Sequence, residues 1–242
     1  MLQGRRADHG HGPSGIHVNS EQPTANMYFD LHTHSVSSDD SRATVDQYVK
    51  WVGVLRRKGY RIDGFVLTEH RKFDFDQDYS AISADSDVLI LKGSELDTDH
   101  GHFLVYGVTE KLTDRVDFSD VHMDGLELVA AAADTGAVAI PAHPGRFGIG
   151  LCEFTGNGED YSVLHAGERF NGSNRPGEQE RAEEFLSGLN LAGTGGSDAH
   201  LVSAIGKCMT RFEGSIATES DLVREIKGGA FAPVWLDDTQ QG

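Results

Sequence analysis

Short apolar runs recur along this chain with helix-periodic amphipathic segments between many of them, and that alternation constrains the fold more than any other feature. The strand-like runs are Tyr28–Leu31, Gly64–Thr68, Val88–Gly93, Phe103–Tyr106, Ala137–Pro141, Val163–Phe170, Leu191–Gly195, Cys208–Phe212 and Phe231–Leu236. After the first, Val45, Tyr48, Val49, Val52 and Leu55 keep helical spacing, and Gly59 stops the helix. Leu126, Val129, Ala130 and Ala133 mark a second helix, ended by Gly136. Ala182, Phe185, Leu186 and Leu189 mark a third, and Leu222, Val223 and Ile226 a fourth, which starts near Ser220 and ends at Gly228-Gly229. Strands separated by helices imply βα units and a mostly parallel sheet. Seven or eight such units between residues 27 and 236 fit a compact α/β barrel, somewhat smaller than the ~250 residues typical of an eightfold one. An open doubly wound sheet is the alternative, because periodicity does not say whether a sheet closes.

The formal net charge of −17 disfavours a broad basic surface that grips nucleic acid. It does not disfavour an enzyme that handles phosphates through bound cations. No apolar run approaches the ~20 residues of a membrane span. Cys152 and Cys208 form neither a metal pair nor a disulfide framework, which fits a reducing, cytoplasmic setting. Residues 1–26 hold glycine, proline, polar residues and His9, His11 and His17 without apolar periodicity. They read as a disordered extension, and no apolar stretch follows Arg5-Arg6 to make an export signal. One domain is expected over residues 27–236, with a short tail at 237–242.

Metal-ligand residue types gather at or just beyond the strand ends. They stand in His32-Thr33-His34, with Asp39 beyond, and in Thr68-Glu69-His70, Gly93-Ser94-Glu95, Ala142-His143-Pro144 and Ser197-Asp198-Ala199-His200. The carboxyl ends of parallel strands point at one face, where α/β folds build their sites. In extended chain, side chains at i and i+2 share a side, so His32 and His34 can meet one ion, as can Asp198 and His200. Any one of these histidines reads best as a hydrogen-bonded core residue. Five strand ends that all supply imidazole or carboxylate read instead as a multinuclear site for zinc, manganese or iron.

Asp30-Leu31-His32-Thr33-His34, Ser38-Asp39, Thr68-Glu69-His70, Gly93-Ser94-Glu95, Gly101-His102-Phe103, Ala142-His143-Pro144 and Gly196-Ser197-Asp198-Ala199-His200 resemble, in order, the motifs of the polymerase-and-histidinol-phosphatase (PHP) family. The resemblance covers Met27 to about Trp235. It implies a distorted seven-stranded βα (TIM-like) barrel with a trinuclear metal cluster at the carboxyl ends of the strands. Carried over, the ligands are His32, His34, Asp39, His70, Glu95, His102, His143, Asp198 and His200. The implied grouping is His32, His34, Glu95 and Asp198 on one ion, then Glu95, His102 and His143, then Asp39, His70 and His200. His100 competes with His102, and Asp40 stands where relatives often have glycine and competes with Asp39. Arg146 is a candidate phosphate-holding cation, as are Arg71 and Lys72, and Glu168 and Asn171 are expected to support ligands rather than ligate.

The implied activity is hydrolysis of a phosphate ester by metal-activated water, with three divalent ions (Mn, Zn or Fe) as cofactors. Asp198 and His200 are candidates to move protons and Arg146 to hold phosphate. A nucleotide or oligonucleotide ester is the expected substrate, as for a nucleoside bisphosphate phosphatase or a 5′-3′ exonuclease. Histidinol phosphate is the alternative. A non-catalytic metal-bound supporting module and a metal-dependent amidohydrolase are further readings. The expected partners are a small phosphorylated substrate or a short nucleic-acid end, with no membrane and no stable protein partner.

Overall fold

The computed structural model describes residues 26–156 and 160–240, so the expectation of a disordered extension over residues 1–26 falls almost wholly outside the described residues. The elements are β1 (Met27–Thr33), α1 (Val45–Arg57), β2 (Gly64–His70), α2 (Ser80–Ser86), β3 (Leu89–Thr98), β4 (Gly101–Tyr106), α3 (Glu110–Thr113), α4 (Gly125–Thr135) and β5 (Val138–Pro141). There follow β6 (Ala166–Asn171), α5 (Glu178–Gly188), β7 (Ala192–Gly196), β8 (Cys208–Phe212), α6 (Glu219–Gly228) and β9 (Phe231–Trp235). Each strand-like run of the sequence contains a strand. Val163, however, lies in a 3-10 turn at Tyr161–Val163, and β3 continues past Glu95 to Thr98.

Seven strands form one curled sheet in the order β5-β4-β3-β2-β1-β8-β9, and β6 and β7 form a separate parallel pair. The pair lies against the large sheet, with β6 touching β5 and β7 touching β1, β8 and β9. The architecture is α/β with a half-barrel sheet. The expected predominance of parallel pairing is corrected. β1, β2 and β3 run parallel, but β3–β4, β4–β5, β1–β8 and β8–β9 are antiparallel. Only Asp99 and His100 separate β3 from β4, and a two-residue turn joins antiparallel strands, whereas a parallel crossover needs a dozen residues or more. Gly101 takes the positive φ of 91° beside that turn.

The sheet buries both faces. Phe29, Leu31, Val66, Leu91, Leu104, Tyr106 and Ile140 form one cluster with Leu222, Val223 and Ile226 of α6. Alternate residues point the other way: Phe65 and Leu67 meet Tyr48, Val52 and Leu55 of α1, and Phe103 and Val105 meet Leu128, Val129 and Ala132 of α4. α1 starts in a capping box, where Thr44 and Gln47 satisfy each other's backbone N–H groups. The Tyr48 hydroxyl sits 2.8 Å from the His34 carbonyl and 2.7 Å from the Ala199 carbonyl, tying this helix to two ligand-bearing segments. Among the described residues no helix is long and apolar enough to cross a membrane, and Cys152 and Cys208 are free thiols.

Candidate metal centre

β1 carries Asp30-Leu31-His32-Thr33, and the chain beyond β7 is laid alongside it. Asp198 N donates to the His32 carbonyl at 2.7 Å, His34 N donates to the Ala199 carbonyl at 2.9 Å, and Thr33 bridges Ala199. Asp198 and His200 thereby reach His32 and His34 from 166 residues away in the chain. Asp30 sets that alignment: its buried carboxylate accepts from Ser197 N at 2.8 Å, Gly206 N at 2.7 Å and His32 N at 3.3 Å. Burial pushes its pKa up to about 6, against the pull of those donors. Gly196 is obligatory here, because a Cβ would lie 2.4 Å from the His32 Cβ and 2.6 Å from Glu168 Oε1. Arg71, His143 and Asp198 hold left-handed backbone at φ of 53°, 28° and 55°. Such strain costs about 1–3 kcal/mol per residue and gathers at functional sites.

Glu95 is the hub. Its Oε2 lies 3.2 Å from His32 Nε2, from His34 Nε2 and from His70 Nδ1, and its Oε1 lies 3.0 Å from His102 Nδ1 and 2.9 Å from His143 Nε2. The antiparallel hairpin explains His102. It opens β4, pairs with Asp97 across the turn, and so stands level with the late residues of β3. His100 turns away to Asp99 at 2.5 Å. Asp198 Oδ1 completes the arrangement at 3.5 Å from His32, His34 and His200.

One expected residue is displaced by its neighbour. Asp39 is largely exposed, with its carboxylate 3.7 Å from Arg71. Asp40 Oδ2 lies 3.2 Å from His70 Nε2 and 3.0 Å from His200 Nε2. The tight turn through Ser37–Asp40 decides which carboxylate faces inward, and spacing alone does not report it. His34 also joins this side, its ring stacked on His70 at 4.2 Å and on His200 at 4.4 Å. Asp40→Asn is therefore expected to lower bound metal, with Asp39→Asn neutral; elemental analysis of both variants decides it, and the reverse order reinstates Asp39.

Around the ligands runs a set of orienting bonds. Glu168, nearly fully buried, faces His32 Nδ1 at 3.0 Å and accepts from His143 N at 2.7 Å and Asn171 Nδ2 at 2.9 Å. That contact would keep a proton on His32 Nδ1 and free Nε2, on the Glu95 side, to ligate a metal. His200 Nδ1 donates to the Asp198 carbonyl at 3.0 Å, with the same result for its Nε2. Arg146 donates to Asp198 Oδ2 at 2.7 Å and to Asn171 Oδ1 at 3.0 Å. Arg71 binds Asp97 at 3.0 Å. Sequence reasoning gave no role to Asp30, Tyr48 or Glu69. Glu69 accepts from Ser35 N at 3.0 Å and from the Ser35 and Ser38 hydroxyls at 2.6 and 2.5 Å, and so holds the loop after His34. The Thr-Glu-His motif contained the signal for Glu69, since a carboxylate beside a ligand histidine points to the opposite side of the strand.

The donor set fits divalent metal. His32, His34, Glu95 and Asp198, then Glu95, His102 and His143, then His34, His70 and His200 each offer donor atoms within 4.8 Å of one another. His34 Nε2 and His70 Nδ1 are buried without a hydrogen-bond partner while facing Glu95. Five imidazoles on one carboxylate exceed what hydrogen bonding alone can satisfy. Burial opposes charge on His32 and His34, but Glu168, Asp198 and Glu95 outweigh it for His32, and Asp198 and Glu95 for His34. The His34 pKa is thus carried up to about 9. Burial likewise opposes charge on Glu95 and Asp198, and the surrounding imidazoles reverse that and hold both well below the usual carboxylate range. Burial prevails at His70 and His143, whose pKa values fall.

Comparison with known proteins agrees with this geometry. A PHP-associated family model matches residues 176–231, which run from α5 through β7 and β8 to β9. No curated protein matches. PsfC from Pseudomonas syringae shares the fold with a TM-score of 0.65 at 20% identity, over 89% of this chain and 94% of its own. A two-domain protein from Bacteroides vulgatus containing a predicted PHP-like metal-dependent phosphoesterase aligns with a TM-score of 0.59 at 19% identity, over 94% of this chain and 70% of its own. A lesion-specific endonuclease from Pyrococcus furiosus aligns with a TM-score of 0.62 at 15% identity, over 86% of this chain and 58% of its own. These likenesses are of fold, and the resemblance in motif order adds the ligand constellation.

Proposed function

We propose that this chain, a PHP-type protein by fold and motif order, hydrolyses a phosphate ester of a nucleotide or oligonucleotide with three divalent ions as cofactors. The observation that carries the reading is Glu95, one buried carboxylate within 3.2 Å of five imidazoles from four chain segments. Divalent ions held by such a set supply a hydroxide near neutral pH and neutralise the oxygens of a phosphate ester. We assign His32, His34, Glu95 and Asp198 to one ion, Glu95, His102 and His143 to a second, and His70, His200 and Asp40 to a third.

The chain's own residues do the rest. Arg146 steers the Asp198 carboxylate, taking Oδ2 so that Oδ1 faces His32 and His34, and its partly exposed guanidinium is within reach of a phosphate oxygen. With Nδ1 on the Asp198 carbonyl and Nε2 assigned to the third ion, His200 has no proton to give, so the departing alkoxide takes its proton from solvent. Ser38, beside His34 and His70, gives its hydroxyl to Glu69, and the reaction requires no serine or cysteine nucleophile.

The lesion-specific endonuclease among the structural relatives favours a nucleic-acid-type ester over histidinol phosphate. A supporting module without catalysis would not need its ligands kept complete. The test is elemental analysis of purified protein together with hydrolysis of an aryl phosphate and a bis-aryl phosphodiester in added manganese. About three bound ions per chain and turnover lost on chelation are expected. Bound metal with turnover of amides or lactones, but not of phosphate esters, would replace the reading with an amidohydrolase one.

A further inference from the structure

The β3–β4 hairpin sets the His102 ring between two carboxylates. Glu95 and Asp97 stand two apart on β3, so their side chains leave the strand on one face. His102 is the direct partner of Asp97 across the hairpin, and paired residues of neighbouring strands share a face. One carboxylate therefore meets each ring nitrogen: Glu95 Oε1 lies 3.0 Å from Nδ1, and Asp97 Oδ1 lies 3.5 Å from Nε2. We infer that Asp97 is a positioning residue of the metal centre. It accepts the Nε2–H of His102 and so reserves Nδ1 for the second ion, while Arg71 holds Asp97 in place. The inference rests on the metal centre of the proposed function and goes beyond its ligands, since none of the donor sets among the described residues contains Asp97.

The two carboxylates are not equivalent. Glu95 faces four further imidazoles and belongs to the ions. Asp97 Oδ2 accepts from Arg71 Nη1 at 3.0 Å, whereas its Oδ1 is buried without a hydrogen-bond partner and faces the His102 ring. A buried acceptor without a donor is costly. The donor within reach is the one that His102 acquires on ligation, because a neutral imidazole with a metal on Nδ1 carries its single proton on Nε2. His32 is served the opposite way, with Glu168 on Nδ1.

The scaffold holds this pairing firmly. Thr98 Oγ1 donates to the Gly101 carbonyl at 2.7 Å and accepts from His100 N at 3.0 Å, which locks the two-residue turn. His102 N donates to the Ile149 carbonyl at 3.2 Å, and its carbonyl accepts from Ala142 N at 2.9 Å. Of the basic residues after His70 that the sequence offers for phosphate, Lys72 donates to the Ser37 carbonyl and Arg71 is committed to Asp97. Arg71 N donates to the Glu95 carbonyl at 2.9 Å, and a left-handed φ of 53° turns the chain there. Arg71 thus treats Asp97 as Arg146 treats Asp198: a guanidinium takes one carboxylate oxygen and leaves the other for a ligand histidine or an ion.

The test uses full-length protein loaded with zinc and reads metal affinity and histidine nitrogen shifts. In NMR of protein with isotope-labelled histidine, His102, assigned by its absence in His102→Gln, is expected to carry metal on Nδ1 and a proton on Nε2. Asp97→Ala is expected to weaken one ion by about 10–100-fold in chelator competition, to leave the others unchanged, and to abolish the slowly exchanging Nε2–H signal. Arg71→Gln is expected to give a smaller loss at the same ion. The double variant is expected to lose no more than Asp97→Ala, because Arg71 acts through Asp97. Circular dichroism establishes folding. Should Asp97→Ala not fold, Asp97→Asn, of the same shape but a weaker acceptor, is expected to lose affinity at the same ion. Metal on His102 Nε2, or a loss spread evenly over every ion, overturns the role. Turnover is not read, so a failure to hydrolyse phosphate esters sinks the hydrolase reading alone, and unchanged zinc affinity in Asp97→Ala sinks the positioning role alone.

Discussion

Glu95→Ala is expected to lower bound metal from three ions per chain to one or none and to reduce turnover by about 10³-fold or more. Several kcal/mol of transition-state charge stabilisation come from bound cations, at about 1.4 kcal/mol per tenfold in rate. Glu95 is the one carboxylate shared by two of the three donor sets, and it also lies 3.2 Å from His70 of the remaining set. Its removal takes away the one carboxylate that faces all five imidazoles and leaves Asp198 beside only His32 and His34 of them. Glu95→Gln keeps the shape and removes the charge, so the same loss in that variant attributes the effect to charge. Glu168→Ala provides the contrast. Glu168 orients His32 and the His143 backbone without facing the other donor sets, and loss of such orienting partners costs about 10–100-fold in affinity or activity. Circular dichroism establishes that the variants fold. Three ions and full turnover in Glu95→Ala would remove the hub from the account.

Much of the fold was legible because its signals are local. Helical spacing through Val45, Val52 and Leu55 and the alternation of Phe29, Leu31 and Val66 are set by which neighbours a side chain can reach. The convergence of the histidines was legible for a different reason: imidazoles and carboxylates at successive strand ends have no common structural use except a shared site. Strand direction was not legible in the same way. Antiparallel β4 follows from a two-residue turn, but β4 and β5 are also antiparallel across a connection that contains α3 and α4, which periodicity reads as a crossover to a parallel strand. Asp30 escaped, and the placing of Asp40 against Asp39 was left open, for physical reasons too. The choice between Asp39 and Asp40 is made by the rotation of one turn, and the work of Asp30 is done by backbone N–H groups of Ser197 and Gly206, which sequence does not place.

Removing the metal is expected to lower the melting temperature by about 10 °C at pH 9, and by clearly less at pH 6.5. A ligand at about a thousand times its dissociation constant adds about 4 kcal/mol, and each kcal/mol moves the midpoint by about 2–4 °C in a chain of this size. The pH dependence follows from the protons that the cluster holds without metal. The folded His34 pKa of about 9 lies above the unfolded value near 6.5, because Asp198 and Glu95 outweigh its burial. Its contribution to the stability of the metal-free chain is therefore full below pH 6.5 and is lost as pH rises through 9. His32 shifts in the same direction. Glu95 and Asp198 shift the opposite way, so their contribution is present above their unfolded values near 4.5 and 3.8 and does not change between pH 6.5 and 9. Metal binding has to displace the histidine protons, so affinity rises over the same interval in which the metal-free chain weakens. The gap between loaded and chelated protein is set by that affinity, so it widens with pH. Scanning calorimetry of both forms at pH 6.5 and 9 measures it. A gap that stays constant or narrows would mean that His32 and His34 do not exchange protons for metal, and the donor set assigned to the first ion would have to be redrawn.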